Sequence, residues 1–369
     1  MRTAHLYIDN LRIGGFQRLC LDQAYALSQQ DFSVEIHVLS AIELSNPSFL
    51  SSESSLINDR KIIVHFLSER LFFQLRSILK VIRNMPQNDI VISHSLRATA
   101  LLWMGQKISF KNFKFLTTIH QLPTLSASRQ RLKRFVYSQL SPFLTAYSEA
   151  VVNDWNYRVS HFPAVIRKFF SKNISVLRNG IFLPRITNST VKLPTVARGR
   201  LIFLGRISTW KGLETFFTFA RYPRLDVFNI LVIVPEISDS HRSQLKEEFG
   251  ERIQFQIGKS FNSYTAVKGD VHFYAAQYGE KAKFIESISL NCLEMASVGT
   301  PSVVTKGGLN TWPELKNLSV FWECDWTNRE ATVDTIIKAS QIDIYEKEIL
   351  RIRDLIDINH NVLKIREFL

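Results

Sequence analysis

The feature that most constrains this chain is an alternation. Short apolar runs rich in β-branched and aromatic residues, TAHLYID, SVEIHVLS, KIIVHF, DIVISHS, KFLTTIH, PFLTAYSE and ISVLRNG, are separated by longer stretches, several with apolar residues at helical spacing. A strand that follows a helical crossover re-enters the sheet parallel to its predecessor. The pattern therefore predicts an α/β fold, a parallel sheet with helices on both faces. In the first helical stretch Phe16, Leu19, Cys20, Ala24 and Leu27 recur on one helix face and are expected against that sheet.

The alternation stops over residues 183–200, LPRITNSTVKLPTVARGR, which are polar, carry two prolines and have no period. It restarts with RLIFLG, NILVIVP, RIQFQIG, GDVHFYA and PSVVT. A chain of 369 residues is long for one core. The expectation is two Rossmann-like doubly wound domains, residues 1–183 and 201–349, joined by a linker at 184–200. The closing stretch EKEILRIRDLIDINHNVLKIREFL reads as one or two charged amphipathic helices, with about 350–369 able to pack back on the first domain. Ligands of doubly wound folds bind beyond the carboxyl ends of the strands, so functional loops are expected there, facing across a cleft.

Composition narrows the class. The chain is 46% hydrophobic and 21% charged, which suits a globular protein and argues against disorder. No apolar run approaches the ~20 residues of a membrane-spanning helix. The start, MRTAHLYIDN, leads straight into a strand-like run and does not read as a signal peptide. Cys20, Cys292 and Cys324 are scattered and odd in number, so reduced thiols and a cytoplasmic location are expected. The net charge of +13 fits a nucleic acid, an anionic membrane or a phosphorylated substrate. The cations are dispersed and neither zinc-finger spacing nor an RNA-binding aromatic motif occurs, so nucleic acid is the least favoured partner.

Three loops carry candidate chemistry. GRISTWKG, Gly205 to Gly212, lies between a strand and a helix. Arg206 and Lys211 beside a helix start would suit a diphosphate, with charge balanced by the cations and hydrogen bonds from free N–H groups; a solvated turn reads equally well. IGGF, Ile13 to Phe16, puts Gly14 and Gly15 where the backbone can approach a phosphate, or where it merely turns. The three-glycine dinucleotide fingerprint is missing. TTIH ends in His120 at the end of a strand, where a sugar hydroxyl or a proton could be handled, and His94 in ISHS is its rival.

ESISLNCLE adds two carboxylates, Glu286 and Glu294, in an otherwise uncharged apolar run. Residues 289–298 are expected to form a short helix stopped by Gly299, with Pro301 beyond. Glu286 then lies in the loop before the helix and Glu294 on it, where they could reach two ends of one ligand; a capping Glu and a solvated Glu are the plainer alternative. Asp-x-Asp, His-Glu-x-x-His, paired cysteines at zinc spacing and a Gly-x-Ser-x-Gly elbow are all missing, so neither a metal nor a nucleophile elbow is expected.

Taken in order along the chain, IGGFQRLCLDQAYAL, TTIH, TAYSE, VLRNGI, GRISTWKG and ESISLNCLEMASVGTPSVVTKGG resemble the motifs of the retaining GT-B glycosyltransferases, family 4 in particular. The resemblance implies a nucleotide-diphosphate sugar of UDP or GDP type as co-substrate, and no other cofactor. Arg206 and Lys211 would hold the diphosphate, and Glu294 the ribose. Glu286 would meet the sugar hydroxyls, while Ser289, Leu290 and Asn291 would present backbone N–H groups. Gly14 and Gly15 would close on the phosphate, and His120 would lie near the reacting sugar. The sequence departs from the family at Ile288-Ser289, Gln121, Phe182 and the lengthened LNTWPEL. An epimerase of the same fold and a non-catalytic sugar-nucleotide-binding subunit are the rival readings.

The acceptor is expected on the first domain. There Leu71, Leu75, Ile78, Leu79 and Ile82 form one apolar stripe bordered by Arg76, Lys80 and Arg83, with Phe73 toward the polar side. SRQRLKRF adds Arg129, Arg131, Lys133 and Arg134. A basic amphipathic surface suits the inner face of a membrane and a lipid-linked or cell-envelope glycan acceptor, and a core-facing stripe with solvated charges fits as well.

Overall fold

The computed structural model describes residues 2–11, 15–40, 57–58, 62–68, 70–119, 140, 143–146, 152–153, 156, 160, 164, 167, 174–187, 199–207, 211–258, 264–276 and 288–368. The chain divides into two units. The first comprises Met1–Phe182 with Ile358–Leu369, and the second Leu183–Asp357.

In the first unit the apolar runs become β1 (Arg2–Ile8), β2 (Phe32–Val38), β3 (Ile63–Phe66), β4 (Ile90–Ser93), β5 (Leu116–Ile119), β6 (Phe143–Ala146) and β7 (Ile174–Val176). They form one parallel sheet in the order β3-β2-β1-β4-β5-β6-β7. Helices α1 (Gly15–Gln29), α2 (Leu71–Asn84) and α3 (Leu96–Ser109) are among the crossovers. Leu19, Cys20, Ala24 and Leu27 of α1 are buried, as the helical spacing predicts. Ser95 caps α3 by accepting from the Ala98 N–H at 2.9 Å.

The expected apolar stripe on α2 needs correction. Residues four apart share a row, and the row that is buried is Gln74, Ile78 and Ile82. Leu71, Leu75 and Leu79 form the neighbouring row at the margin, where Leu75 and Leu79 are half-buried and Leu71 is 56% exposed. Gln74 tolerates burial because its amide donates to the Leu39 carbonyl and accepts from Arg97 at 2.9 Å.

The second unit holds a short helix α4 (Pro184–Thr187), then β8 (Arg200–Leu204), α5 (Leu213–Ala220), β9 (Asn229–Val234), α6 (Asp239–Phe249), β10 (Ile253–Ile257) and β11 (Val271–Tyr274). It continues with α7 (Leu290–Ser297), β12 (Ser302–Thr305), β13 (Phe321–Cys324), α8 (Arg329–Ser340) and α9 (Glu346–Ile356). Its sheet is also parallel, in the order β10-β9-β8-β11-β12-β13. The abundant phenylalanines find their use in this core. Phe203, Phe216, Phe219 and Phe273 pack with Trp326, the closest of these ring pairs being Phe273 and Trp326 at 4.6 Å.

A single break at Asp357 separates α9 from α10 (Ile358–Phe368). α9 lies on α7, where Arg353 donates to the Ser297 carbonyl at 2.8 Å. α10 belongs to the first unit and packs on α1, with the Ile358 N–H donating to Ile181 at 3.0 Å and the Asn361 amide to the Arg178 carbonyl.

Candidate functional site

Each sheet has a point where the strand order reverses direction, and the crevice at the carboxyl ends there is where such folds bind ligands. In the second unit that point lies between β8 and β11. The loop leaving β8 begins at Gly205 and ends at Lys211 and Gly212, so the predicted cations stand at the reversal. Arg206 is exposed. The Lys211 ammonium lies 3.3 Å from the Tyr274 hydroxyl and 5.3 Å from the centre of its ring. Tyr274 ends β11, so the contact fixes the loop after one central strand to the end of the other.

Gly212 explains why the loop can close so tightly. Its φ is +77°, and a Cβ there would meet the Ala275 carbonyl oxygen at 2.4 Å. Only a residue without a side chain fits that approach.

α7 brings the third element to the same place. The Asn291 amide donates to the Leu204 carbonyl at 2.7 Å, tying the first turn of α7 to the end of β8. The Ser289 hydroxyl caps the helix by accepting from the Cys292 N–H at 3.4 Å. By helix geometry the N–H groups of Leu290 and Asn291 point out of that first turn, where an anion would meet them together with the positive end of the helix dipole. Glu294, one turn on, is only 4% exposed, so it is not a solvated surface carboxylate. The structure thus brings the loop of Arg206 and Lys211 and the first turn of α7, Ser289 to Asn291, to one edge of the second unit, with Glu294 one turn further along α7. A hollow nearby is lined by Ile207, Glu236, Ile237, Ser238 and His241.

In the first unit the reversal lies between β1 and β4. α1 starts there at Gly15, and Gln17 donates to Asn10 at 2.7 Å. Ser95 donates to Asp9 at 2.8 Å, and burial pushes the Asp9 carboxyl up against the pull of that bond and of Arg97. His94 is buried after β4, its N–H on the Tyr7 carbonyl at 2.8 Å. Asp9 and Ser95 escaped the sequence reading because neither belongs to a recognisable spacing; the strand order alone brings them together. Tyr274 escaped it as one aromatic in an apolar strand.

Gly14, His120, Glu286, Arg129, Arg131, Lys133 and Arg134 lie outside the described residues. β5 ends at Ile119, the residue before His120. On α2, Arg76, Lys80 and Arg83 are exposed, and so are Leu71, Phe72 and Phe73, with Phe72 at 70%. No helix among the described residues is long and apolar enough to cross a membrane.

No protein-family model matches the chain, and no curated protein matches it in sequence. Solved structures do resemble it. Anabaena HepE in complex with UDP-glucose has a TM-score of 0.66 at 13% identity, covering 100% of this chain and 99% of that one. The lipopolysaccharide outer core galactosyltransferase WaaB, in its apo form, has a TM-score of 0.63 at 14% identity, covering 99% of each chain. An alpha-glucosyltransferase in complex with UDP and a 13-mer DNA containing a HMU base has a TM-score of 0.60 at 13% identity, covering 100% of this chain and 94% of that one. At these identities the likeness establishes the fold: the chain has the GT-B fold, two doubly wound α/β units, along its whole length.

Proposed function

We propose that the chain is a retaining glycosyltransferase that moves a sugar from a UDP- or GDP-linked donor to a hydroxyl of a lipid-linked or cell-envelope glycan. The observation that carries the reading is the convergence of Arg206, Lys211 and the start of α7 at the strand-order reversal of the second unit. Full-length likeness to a structure holding UDP-glucose supports it.

In this reading Arg206, Lys211 and the N–H groups at Ser289, Leu290 and Asn291 take the donor diphosphate. They stabilise the negative charge that develops as the anomeric carbon gains oxocarbenium character. Glu294 holds the ribose, Glu286 the sugar hydroxyls, and His120 the region of the reacting carbon. Gly14 and Gly15 give their backbone N–H groups to the phosphate, and the acceptor binds to the first unit. The acceptor oxygen attacks the face from which the diphosphate leaves, and the departing phosphate takes its proton. The cations supply the charge that a metal supplies elsewhere, so donor turnover needs none.

The exposed Leu71, Phe72 and Phe73 beside Arg76, Lys80 and Arg83 face the cytoplasmic leaflet as the membrane side of a peripheral protein, and the basic run of Arg129, Arg131, Lys133 and Arg134 adds positive charge to that attraction. A nucleic-acid acceptor is not part of the reading.

The test is incubation with a panel of UDP- and GDP-hexoses, with and without lipid-linked glycans and duplex DNA. Release of nucleoside diphosphate that depends on a glycan, with the donor's anomeric configuration kept in the product, is the expected result. An isomerised donor without acceptor means an epimerase, donor binding without release means a non-catalytic subunit, and DNA-dependent release moves the acceptor class.

A further inference from the structure

One face of the first sheet carries a cluster that the proposed transfer does not use. β1 and β2 pair so that His5 lies beside Glu35 and Tyr7 beside His37, and β2 and β3 pair so that His37 lies beside His65. Side chains alternate along a strand, so these residues share one face. His5 Nδ1 and His37 Nε2 are 3.2 Å apart, and each stands 3.4 Å from Glu35 Oε2. His65 Nε2 is also 3.4 Å from that same oxygen.

Hydrogen bonding alone accounts poorly for this. If His5 Nδ1 and His37 Nε2 both donate to Glu35, their two protons face each other across 3.2 Å. If one accepts from the other, it has no proton left for the carboxylate. A cation satisfies all the lone pairs together. Ligands about 2.0–2.1 Å from a tetrahedral ion lie about 3.3–3.4 Å from one another, and the three sides of the cluster are 3.2, 3.4 and 3.4 Å. The outer sphere is also present: His5 Nε2 stands 3.5 Å from Asp89 Oδ2, and Asp89 Oδ1 accepts from the Thr3 N–H at 2.9 Å. A carboxylate behind a ligating imidazole fixes its ring and raises its basicity.

We propose that His5, Glu35 and His37, with His65 beside them, form a binding site for a divalent transition-metal ion of the zinc class, pinning the edge strand β3 to β2 and β1. Two or three imidazoles with one carboxylate is a zinc-type donor set. Glu35 and His65 are the more exposed members and give the ion its way in. No spacing motif announces the site, since its ligands come from three strands up to 60 residues apart in sequence. The site is separate from the donor residues, so its fate does not depend on the transferase reading.

The test uses the full chain without a histidine tag, stripped with EDTA and titrated with Zn(II) and then Co(II). One equivalent bound, a raised melting temperature with Zn(II) and the visible bands of tetrahedral Co(II) are expected. His37→Gln and Glu35→Gln should weaken binding at least ~10-fold, and Asp89→Asn roughly 10–100-fold. His241→Ala in the second unit should change nothing. His65→Ala is on the open side and serves if the buried variants do not fold; it should also weaken Co(II) binding or alter its spectrum. The proposal is overturned if the wild-type chain binds no equivalent of either ion, or if binding and spectrum survive substitution of the ligands.

Discussion

Replacing Gly212 by Ala probes the donor loop with a single methyl group. The new Cβ would stand 2.4 Å from the Ala275 carbonyl oxygen and 2.8 Å from the Ala275 Cβ, in a residue with φ of +77°. Tolerable carbon–oxygen contacts begin near ~3.3 Å, so the loop must retreat by about 1 Å. The left-handed conformation costs ~1–2 kcal/mol for a non-glycine residue. Overpacking against backbone that cannot rotate away adds ~1–3 kcal/mol. Gly258→Ala is the control: its φ is +65°, but the nearest atom to a Cβ is the Pro235 oxygen at 4.0 Å, so only the conformational cost applies. Thermal or urea unfolding should therefore lose ~2–5 kcal/mol in Gly212→Ala and ~1–2 kcal/mol in Gly258→Ala. The retreat also draws Lys211 from Tyr274, and in the proposed function it takes that ammonium away from the donor diphosphate, where a charge-assisted hydrogen bond would be worth ~1.5–3 kcal/mol. Calorimetry should then find UDP bound roughly 10–100-fold more weakly by Gly212→Ala and normally by Gly258→Ala. If the two variants unfold alike and bind UDP alike, the close approach at Gly212 does not organise the loop.

Glu294→Ala should weaken both UDP and the intact donor by about one to two decades, whereas Glu286→Ala should leave UDP affinity nearly unchanged and cut turnover; calorimetry beside initial rates separates them, and loss of UDP binding in Glu286→Ala would refute the division of roles. Phe72→Ser with Phe73→Ser should reduce flotation with anionic vesicles, and salt at about 0.5 M, which shortens the screening length to roughly 4 Å, should do the same through Arg76, Lys80 and Arg83; equal binding to neutral vesicles would refute the electrostatic part. His272 is fully buried, and burial lowers its pKa to about 3, so the unfolded chain takes up a proton below its ordinary value while the folded chain does not. Stability should therefore fall as pH drops from about 6.5 toward 3, by up to ~1.4 kcal/mol per pH unit. His272→Asn, which can still bond Ser302, should flatten that limb in urea titrations at several pH values, and an unchanged slope would contradict the assignment.

What the sequence determined by itself is local. The apolar runs and their spacing marked the strands and the longer helices, though not α4 within the aperiodic 184–200 stretch, and the short helix before Gly299 could be read from its stop. Alternation of strand and helix was enough for a parallel doubly wound fold, because the crossover geometry leaves few alternatives. The cations of GRISTWKG were visible because loop and helix start adjoin in sequence. The tertiary structure decided whatever depends on strand order and register. It set Lys211 against Tyr274, tied Asn291 to Leu204, and made Glu294 a buried residue. It split the α2 stripe into a buried row and a marginal, half-buried one by giving Gln74 partners at Leu39 and Arg97. It also brought His5, Glu35, His37 and His65 together across three strands. The physical reason is the range of the forces involved: periodicity and capping act between neighbours along the chain, while the pairing of distant strands is chosen by packing of the whole sheet, which no short stretch of sequence contains.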